Sequence, residues 1–192
     1  MAGSVAIKID KAQLKAVENM LSDVKNGSKK AMTKAINTTL SKTKTRIKKD
    51  LGKKLSLPAK RINQDLYVNK ANYSDMSGSV QAIGKPVSLF EFGTTQTKKG
   101  AKARVYKANK KDLIPSSFHA TMRSGHKGVF RRALRGGGKR VHRLPIEELT
   151  GPRIEDVLAK DEVLEPIESD ASDMLAQELD KQAAEVLRRH KL

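Results

Sequence analysis

The hydrophobic pattern begins as a strand and turns helical within a dozen residues. In "VAIKID" (5–10) β-branched and other residues alternate as in a short strand. Leu14, Val17, Leu21 and Val24 then recur every three or four residues, which predicts a helix through "KAQLKAVENMLSDV" with Asp10 as its N-cap. "NGS" breaks that helix, and Ser28 is suited to cap the next. The segment "KKAMTKAINTTLSKTKTRIKKDLGKKL" (29–55) is the longest periodic stretch in the chain. Met32, Ile36, Leu40, Ile47 and Leu51 form one stripe, with Thr43 in register between Leu40 and Ile47. Lysines take the rest of the circumference, so one face wants a sheet or helix and the other wants water or phosphate. "LSLPAKRINQDL" predicts a short helix started by Pro58.

From residue 66 to about 131 the period shortens. "LYVNKANY", "SGSVQAIGK", "VSLFEFG", "ARVYKA", "SSFHATM" and "GVFRRA" are short runs divided by Gly, Pro, Asn and Ser, the pattern of antiparallel hairpins. "TTQTKKGAK" is polar and basic and is expected to be a long mobile loop. Helix returns after 150. "GPRIEDVLAK" places Pro152 near its N1 position, and the segment from Pro166 onward carries Met174, Leu175, Leu179, Ala183, Val186 and Leu187 on one side. Acids crowd its first turns and Arg188, Arg189 and Lys191 its last, which complements the helix dipole. No internal repeat is found. The expected fold is α+β: a central antiparallel sheet with a long N-terminal helix and C-terminal helices packed against it. Residues 1–160 would form one basic domain, and 161–192 an acidic-to-basic helical segment packed on it.

Charge narrows the function. The 192 residues hold 39 Lys and Arg against 21 Asp and Glu, a net charge of +18. Residues 1–149 carry net +23 and residues 150–192 net −5. Such polarity suits head-to-tail stacking or a polyanion faced with one side. Aromatic content is 4% with no Trp, which argues against a base-stacking platform and for sequence-independent phosphate contact. On composition alone, a cellular nucleic-acid-binding protein of ribosomal or chromatin-like charge is an alternative reading. The chain has no cysteine, which removes thiolate metal sites, disulfides and cysteine nucleophiles. No apolar run could span a membrane and the first residues lack a secretory signal, so a soluble protein made in the cytoplasm is expected.

Enzymatic readings fail on spacing. His119, His126 and His142 are seven and sixteen residues apart, matching neither strand nor helix ligand spacing, so structural histidines are expected. "RGGGKR" (135–140) lacks the first glycine of a phosphate loop and has Arg140 where Ser or Thr would hold magnesium. It is expected to be a flexible hairpin tip. No G-x-S-x-G elbow occurs, and Asp65, Asp75, Glu91 and Asp112 show no grouping for metal-assisted hydrolysis. Neither a catalytic residue, a cofactor, a metal nor a small-molecule substrate is expected.

The segment "LIPSSFHATMRSGHKGVFRRA", followed by "HRLPIEELTGPRI", resembles the prophage minor tail protein Z family, the tail-completion proteins of long-tailed bacteriophages. Ile114, Pro115, Phe118, Met122, Ser124, Gly125, His126, Gly128, Val129, Phe130 and Arg132 fill its first motif. Arg143, Pro145, Ile146, Gly151 and Pro152 fill the second. "FEFGTTQTKKGAKARVY" resembles the family's F-G-x-x-Q-T-K-K-G loop, and "AMTKAINTTLSKTKTRIKKDL" its A-I-N-x-T helix. The resemblance covers roughly residues 28–160.

It implies a non-enzymatic virion protein that acts late in tail assembly, near the end that joins the head. There it would form a homo-oligomeric ring of sixfold symmetry, beside the tail terminator, head–tail connector and tape-measure proteins. Double-stranded DNA would pass through the bore by non-specific phosphate contacts, with no membrane involved. The bore residues expected are Lys98, Lys99 and Lys102, then Arg131, Arg132, Arg135, Lys139 and Arg140. The loop 93–103 is a plausible arm for a heterologous interface. Phe118, Met122, Gly125, His126, Gly128, Phe130, Pro145, Gly151 and Pro152 are expected to serve folding and subunit contact.

Overall fold

A computed structural model describes residues 3–8, 11–22, 24, 26–132 and 145–190. The chain gathers into two units: 1–48, 66–83 and 155–192 in the first, 49–65 and 84–154 in the second. The α+β class is as expected. Among the described residues the strands, however, form three antiparallel sheets of three strands each rather than one central sheet.

In the first unit, β1 (Ser4–Lys8), β2 (Leu66–Asn69) and β3 (Ser77–Ala82) pair in the order β1-β3-β2. Val5 and Val68 both sit opposite Val80 in register, and Val5 and Val80 are buried. Helix α1 (Lys11–Met20) buries Val17 as its period predicts, and Leu21 and Val24 are buried just beyond its end. Asp10 and the side chain of Leu14 lie outside the described residues.

Helix α2 (Gly27–Lys54) buries Met32, Ile36, Leu40, Thr43, Ile47 and Leu51, the expected stripe. The stripe is wider than its apolar letters show, because Ala31, Ala35 and Thr39 are buried beside it. Ile36 and Leu40 press against β3 where Gly78 presents no side chain. Each such fully buried aliphatic contributes about 1.5–3 kcal/mol. Ser28 does not cap this helix. The helix already begins at Gly27, after Asn26 turns the chain with a φ of 59°.

Helix α4 (Ile154–Leu158) and helix α5 (Asp161–His190) close the chain. Pro152 lies ahead of α4 rather than at its N1 position. Helix α5 starts five residues before Pro166, because the amides of Val163 and Leu164 both bond the Lys160 carbonyl and so close the first turn. The proline is exposed and removes one amide near the helix start. Val163, Ile167, Ala171, Leu175, Leu179 and Ala183 then form a buried ridge at strict four-residue spacing. The ridge side of α5 serves the first unit's core, where the helix packs on α1 and β1.

Ion pairs join α2 to α5, among them Lys42 with Glu178, and Arg46 with Asp170 at 3.0 Å. Glu178 is 4% exposed, and the Lys42 hydrogen bond holds its carboxyl below the usual range of 4.5 against the opposing effect of burial. A depressed carboxyl stabilises the fold above its unfolded pKa, and that stabilisation disappears as pH falls through the folded value. Melting temperature should therefore drop on acidification below about pH 4.5. The drop should be shallower in Glu178→Gln than in the parent, and equal slopes in a thermal melt series would contradict this assignment.

In the second unit, the end of α2 leads to α3 (Ala59–Gln64), where Pro58 occupies the N-cap rather than N1. Strands β4 (Thr95–Thr97), β5 (Gly100–Ala103) and β6 (Asp112–Pro115) form one sheet. Strands β7 (Ser117–Thr121), β8 (Lys127–Arg132) and β9 (Ile146–Glu148) form another. "VSLFEFG" is not a full strand. Val87 and Leu89 bond the backbone of residues 151 and 149, after which Leu89–Phe92 winds into a 3-10 turn that ends at left-handed Gly93. "ARVYKA" leaves its sheet after Ala103 and makes only an isolated bridge from Tyr106 to Leu55.

Candidate functional site

Strands β4 and β5 convert the expected 93–103 arm into a tight hairpin. Thr97 pairs with Gly100, leaving Lys98 and Lys99 as a two-residue turn. The Thr97 hydroxyl donates to the Gly100 carbonyl at 2.6 Å. Gln96 staples this hairpin to β7: its Nε2 donates to the Ser117 carbonyl and its Oε1 accepts from the His119 amide at 2.9 Å. Ser117 adds a buried link, with its Oγ accepting from the Ala101 amide at 2.9 Å and donating to the Ile114 carbonyl at 2.7 Å. A loop tied at this many points is an ordered element of the sheet. The alternation of β5 buries Ala101 and Ala103 and turns Lys102 outward. Lys98, Lys99 and Lys102 are exposed, and their side chains make no ion pair among the described residues.

The hairpin β7–β8 carries the S-G-H-x-G-V-F residues. The Met122 amide bonds the His126 carbonyl and the Gly125 amide bonds the Met122 carbonyl, which forms the turn. His126 Nε2 then lies 2.9 Å from Glu148 Oε1, and the Ser88 hydroxyl donates to the same oxygen at 2.7 Å. Gly128 is what lets Glu148 lie there. A Cβ at residue 128 would come within 2.9 Å of both Glu148 Oε1 and the Phe130 ring. Phe130 is buried and faces Phe118 at 6.4 Å between ring centroids.

Arg132 stacks over Phe118, with its guanidinium carbon 5.7 Å from the ring centroid, while Arg131 is exposed. Of the two, only Arg131 points its length into solvent; cation and ring hold Arg132 in place. Pro145 is exposed and Pro152 half-buried, and Gly151 lies under the ring of Phe92. Arg135, Lys139, Arg140, His142 and Arg143, with the glycine run, lie outside the described residues.

The two described central histidines are separately engaged. His119 Nε2 is 2.9 Å from the Thr94 hydroxyl, and its ring meets Phe90 edge-on at 5.4 Å. His126 is committed to Glu148. Among the described residues no group of three His, Cys, Asp or Glu could hold a metal ion. No described helix is long and apolar enough to cross a membrane.

Met122, Gly125, His126, Gly128, Phe118, Phe130, Arg132 and Gly151 thus shape the second unit, through a turn, a shared carboxylate or a ring contact. The sequence model of the prophage minor tail protein Z family matches residues 11–191. The chain belongs to this family. It is a bacteriophage tail protein, and the match reaches beyond residues 28–160 to include α1 and α5. Comparison with curated proteins and with solved structures returns no match.

Several working residues of this minor tail protein escaped the pattern of the sequence. Asn37, inside the A-I-N-x-T stretch, donates Nδ2–H to the Ala71 carbonyl at 3.0 Å and accepts the Ala71 amide at 2.9 Å. Glu148 and Ser88 are partners 60 residues apart. The family letters mark Asn37 and Gln96 as unusual, but only the fold supplies their partners.

Proposed function

We propose that this minor tail protein is a non-enzymatic virion component that forms a ring at the head-proximal end of the tail. In this role it completes the tail, helps join it to the head and lines part of the path taken by DNA. Membership of the minor tail protein Z family over residues 11–191 carries the reading. The charge supports it: a basic body of net +23 and an acidic C-terminal stretch of net −5 provide opposite signs for neighbouring copies. Closing a ring requires a heterologous interface, for which surfaces of opposite sign are well suited.

Lys98, Lys99, Lys102, Arg131 and the ring-held Arg132 are the described cations proposed to face the bore; Arg135, Lys139 and Arg140 lie outside the described residues. Contacts of this kind fall on phosphates and read no sequence. Partners would be copies of the same chain, the tail terminator and head–tail connector proteins, and the tape-measure protein. Its place would be the mature particle, after assembly in the host cytoplasm.

Electron microscopy of tails assembled with an epitope-tagged chain tests the placement. Label in a ring at the head-proximal end is expected. Label elsewhere along the tail, or none on the particle, would overturn it.

A further inference from the structure

The first unit has its own unpaired basic surface, built from lysines outside the proposed bore set. Two contiguous hollows of about 480 and 550 Å³ lie along the first half of α2 and share Lys30 and Tyr73. Lys29 lines one, and Thr33, Lys34, Asn37 and Lys70 line the other. Lys30 and Lys34 are one helical turn apart, about 6 Å along the axis. Lys29, Lys30, Lys34 and Lys70 make no ion pair among the described residues. The hydroxyl oxygen of Thr33 is shielded and lacks a hydrogen-bond partner among them.

The far wall is built rather than loose. Asn37 grips both backbone groups of Ala71, which fixes Lys70 beside the helix. Asn72 Oδ1 accepts the amides of Ser74 and Asp75 at 2.8 and 2.7 Å, so the turn carrying Tyr73 is also held. Asp75, the acid of this turn, accepts at Oδ1 from the amide and the hydroxyl of Ser77. Tyr73 stands 59% exposed at the rim.

From this arrangement we infer that the groove between α2 and the β2–β3 turn is a binding site for the phosphodiester backbone of duplex nucleic acid. Its cations are all lysines, which are depleted in protein–protein interfaces and serve phosphate as point charges. The named lining offers no apolar anchor for a protein partner except the exposed Tyr73, and a single ring is a poor platform for stacked bases. Exposed ammonium groups beside a wall held by side-chain hydrogen bonds suit contact with backbone phosphates that reads no sequence. The inference deepens the DNA-path reading by giving the chain a second phosphate surface, but it does not depend on placement within the tail.

The test uses the full chain and a fluorescent 20-base-pair duplex of mixed sequence, titrated by anisotropy at a series of salt concentrations. Lys30→Gln/Lys34→Gln/Lys70→Gln should weaken binding by on the order of tenfold or more, and should flatten the log K against log salt slope by about 0.9 for each phosphate that is no longer neutralised. In the parent, duplex should also protect these three lysines from acetylation, a measurement that requires no variant to fold. Lys98→Gln/Lys99→Gln/Lys102→Gln provides the comparison. Loss of binding only in that loop variant, with Lys30, Lys34 and Lys70 still reactive under duplex, overturns the groove and leaves the tail reading intact. Failure of the parent to bind at low salt overturns it too. So does a groove variant that binds duplex normally but no longer self-associates, which would make the groove a contact between copies of this chain.

Discussion

Phe92→Ala is expected to lower the unfolding free energy by about 3–5 kcal/mol, the usual cost of removing a buried phenyl ring. Phe92 is 1% exposed and closes the 3-10 turn at Leu89–Phe92. Its ring fills the space over Gly151, where a Cβ would stand 2.6 Å from the ring. Backbone bonds from Leu89 to Leu149 and from Gly151 to Val87 hold the two segments together, so the vacated volume cannot simply collapse. Chemical denaturation should show a lower midpoint with an unchanged slope. A loss below about 1 kcal/mol would mean that the site relaxes to fill the cavity, contrary to the rigidity argued here. Gly151→Val should fail for the reciprocal reason, by pushing the same ring out of place.

Gly100→Val should be nearly as damaging, by at least about 3 kcal/mol, since strained backbone and steric overlap both oppose it. Gly100 has a φ of 150°, in the region L side chains rarely adopt. Any Cβ there would run into the carbonyl oxygen of Ile114 on the adjoining strand β6. The neighbour is backbone inside a ladder, so it cannot swing aside as a side chain would. The glycine that ends Q-T-K-K-G is therefore required by the hairpin and by the strand beside it. Thermal melts of Gly100→Ala and Gly100→Val would check this, with the alanine variant already well below the parent. A parent-like melting temperature for Gly100→Ala would show that the β5–β6 register can shift.

The helices are the most legible elements. The period of Met32, Ile36, Leu40, Ile47 and Leu51 names the buried face of α2, even to the polar Thr43, because a long amphipathic helix repeats one signal many times. Helix starts are less legible, since Pro58, Pro152 and Pro166 each mark a position near an N-terminus without saying which. The strands are found as segments but not as sheets. Nothing in "SSFHATM" or "GVFRRA" distinguishes one continuous sheet from several, because pairing depends on partners far along the chain. The basic "TTQTKKGAK" reads as a loop because its few side chains are polar. The bonds that order it run from Gln96 and Ser117 across more than a dozen residues.

By itself the sequence determined the α+β class, the two long helices and their buried stripes, the segregation of charge and the family of the central motif. These are local periodicities, sums or fixed strings, each legible without knowing what lies opposite. Only the tertiary structure decided which lysines stand unpaired, that His126, Ser88 and Glu148 share one carboxylate oxygen over Gly128, and that Asn37 grips Ala71 to wall a groove. Those depend on contacts between residues far apart in sequence, and side chains of the same type differ in role once the fold has chosen their neighbours.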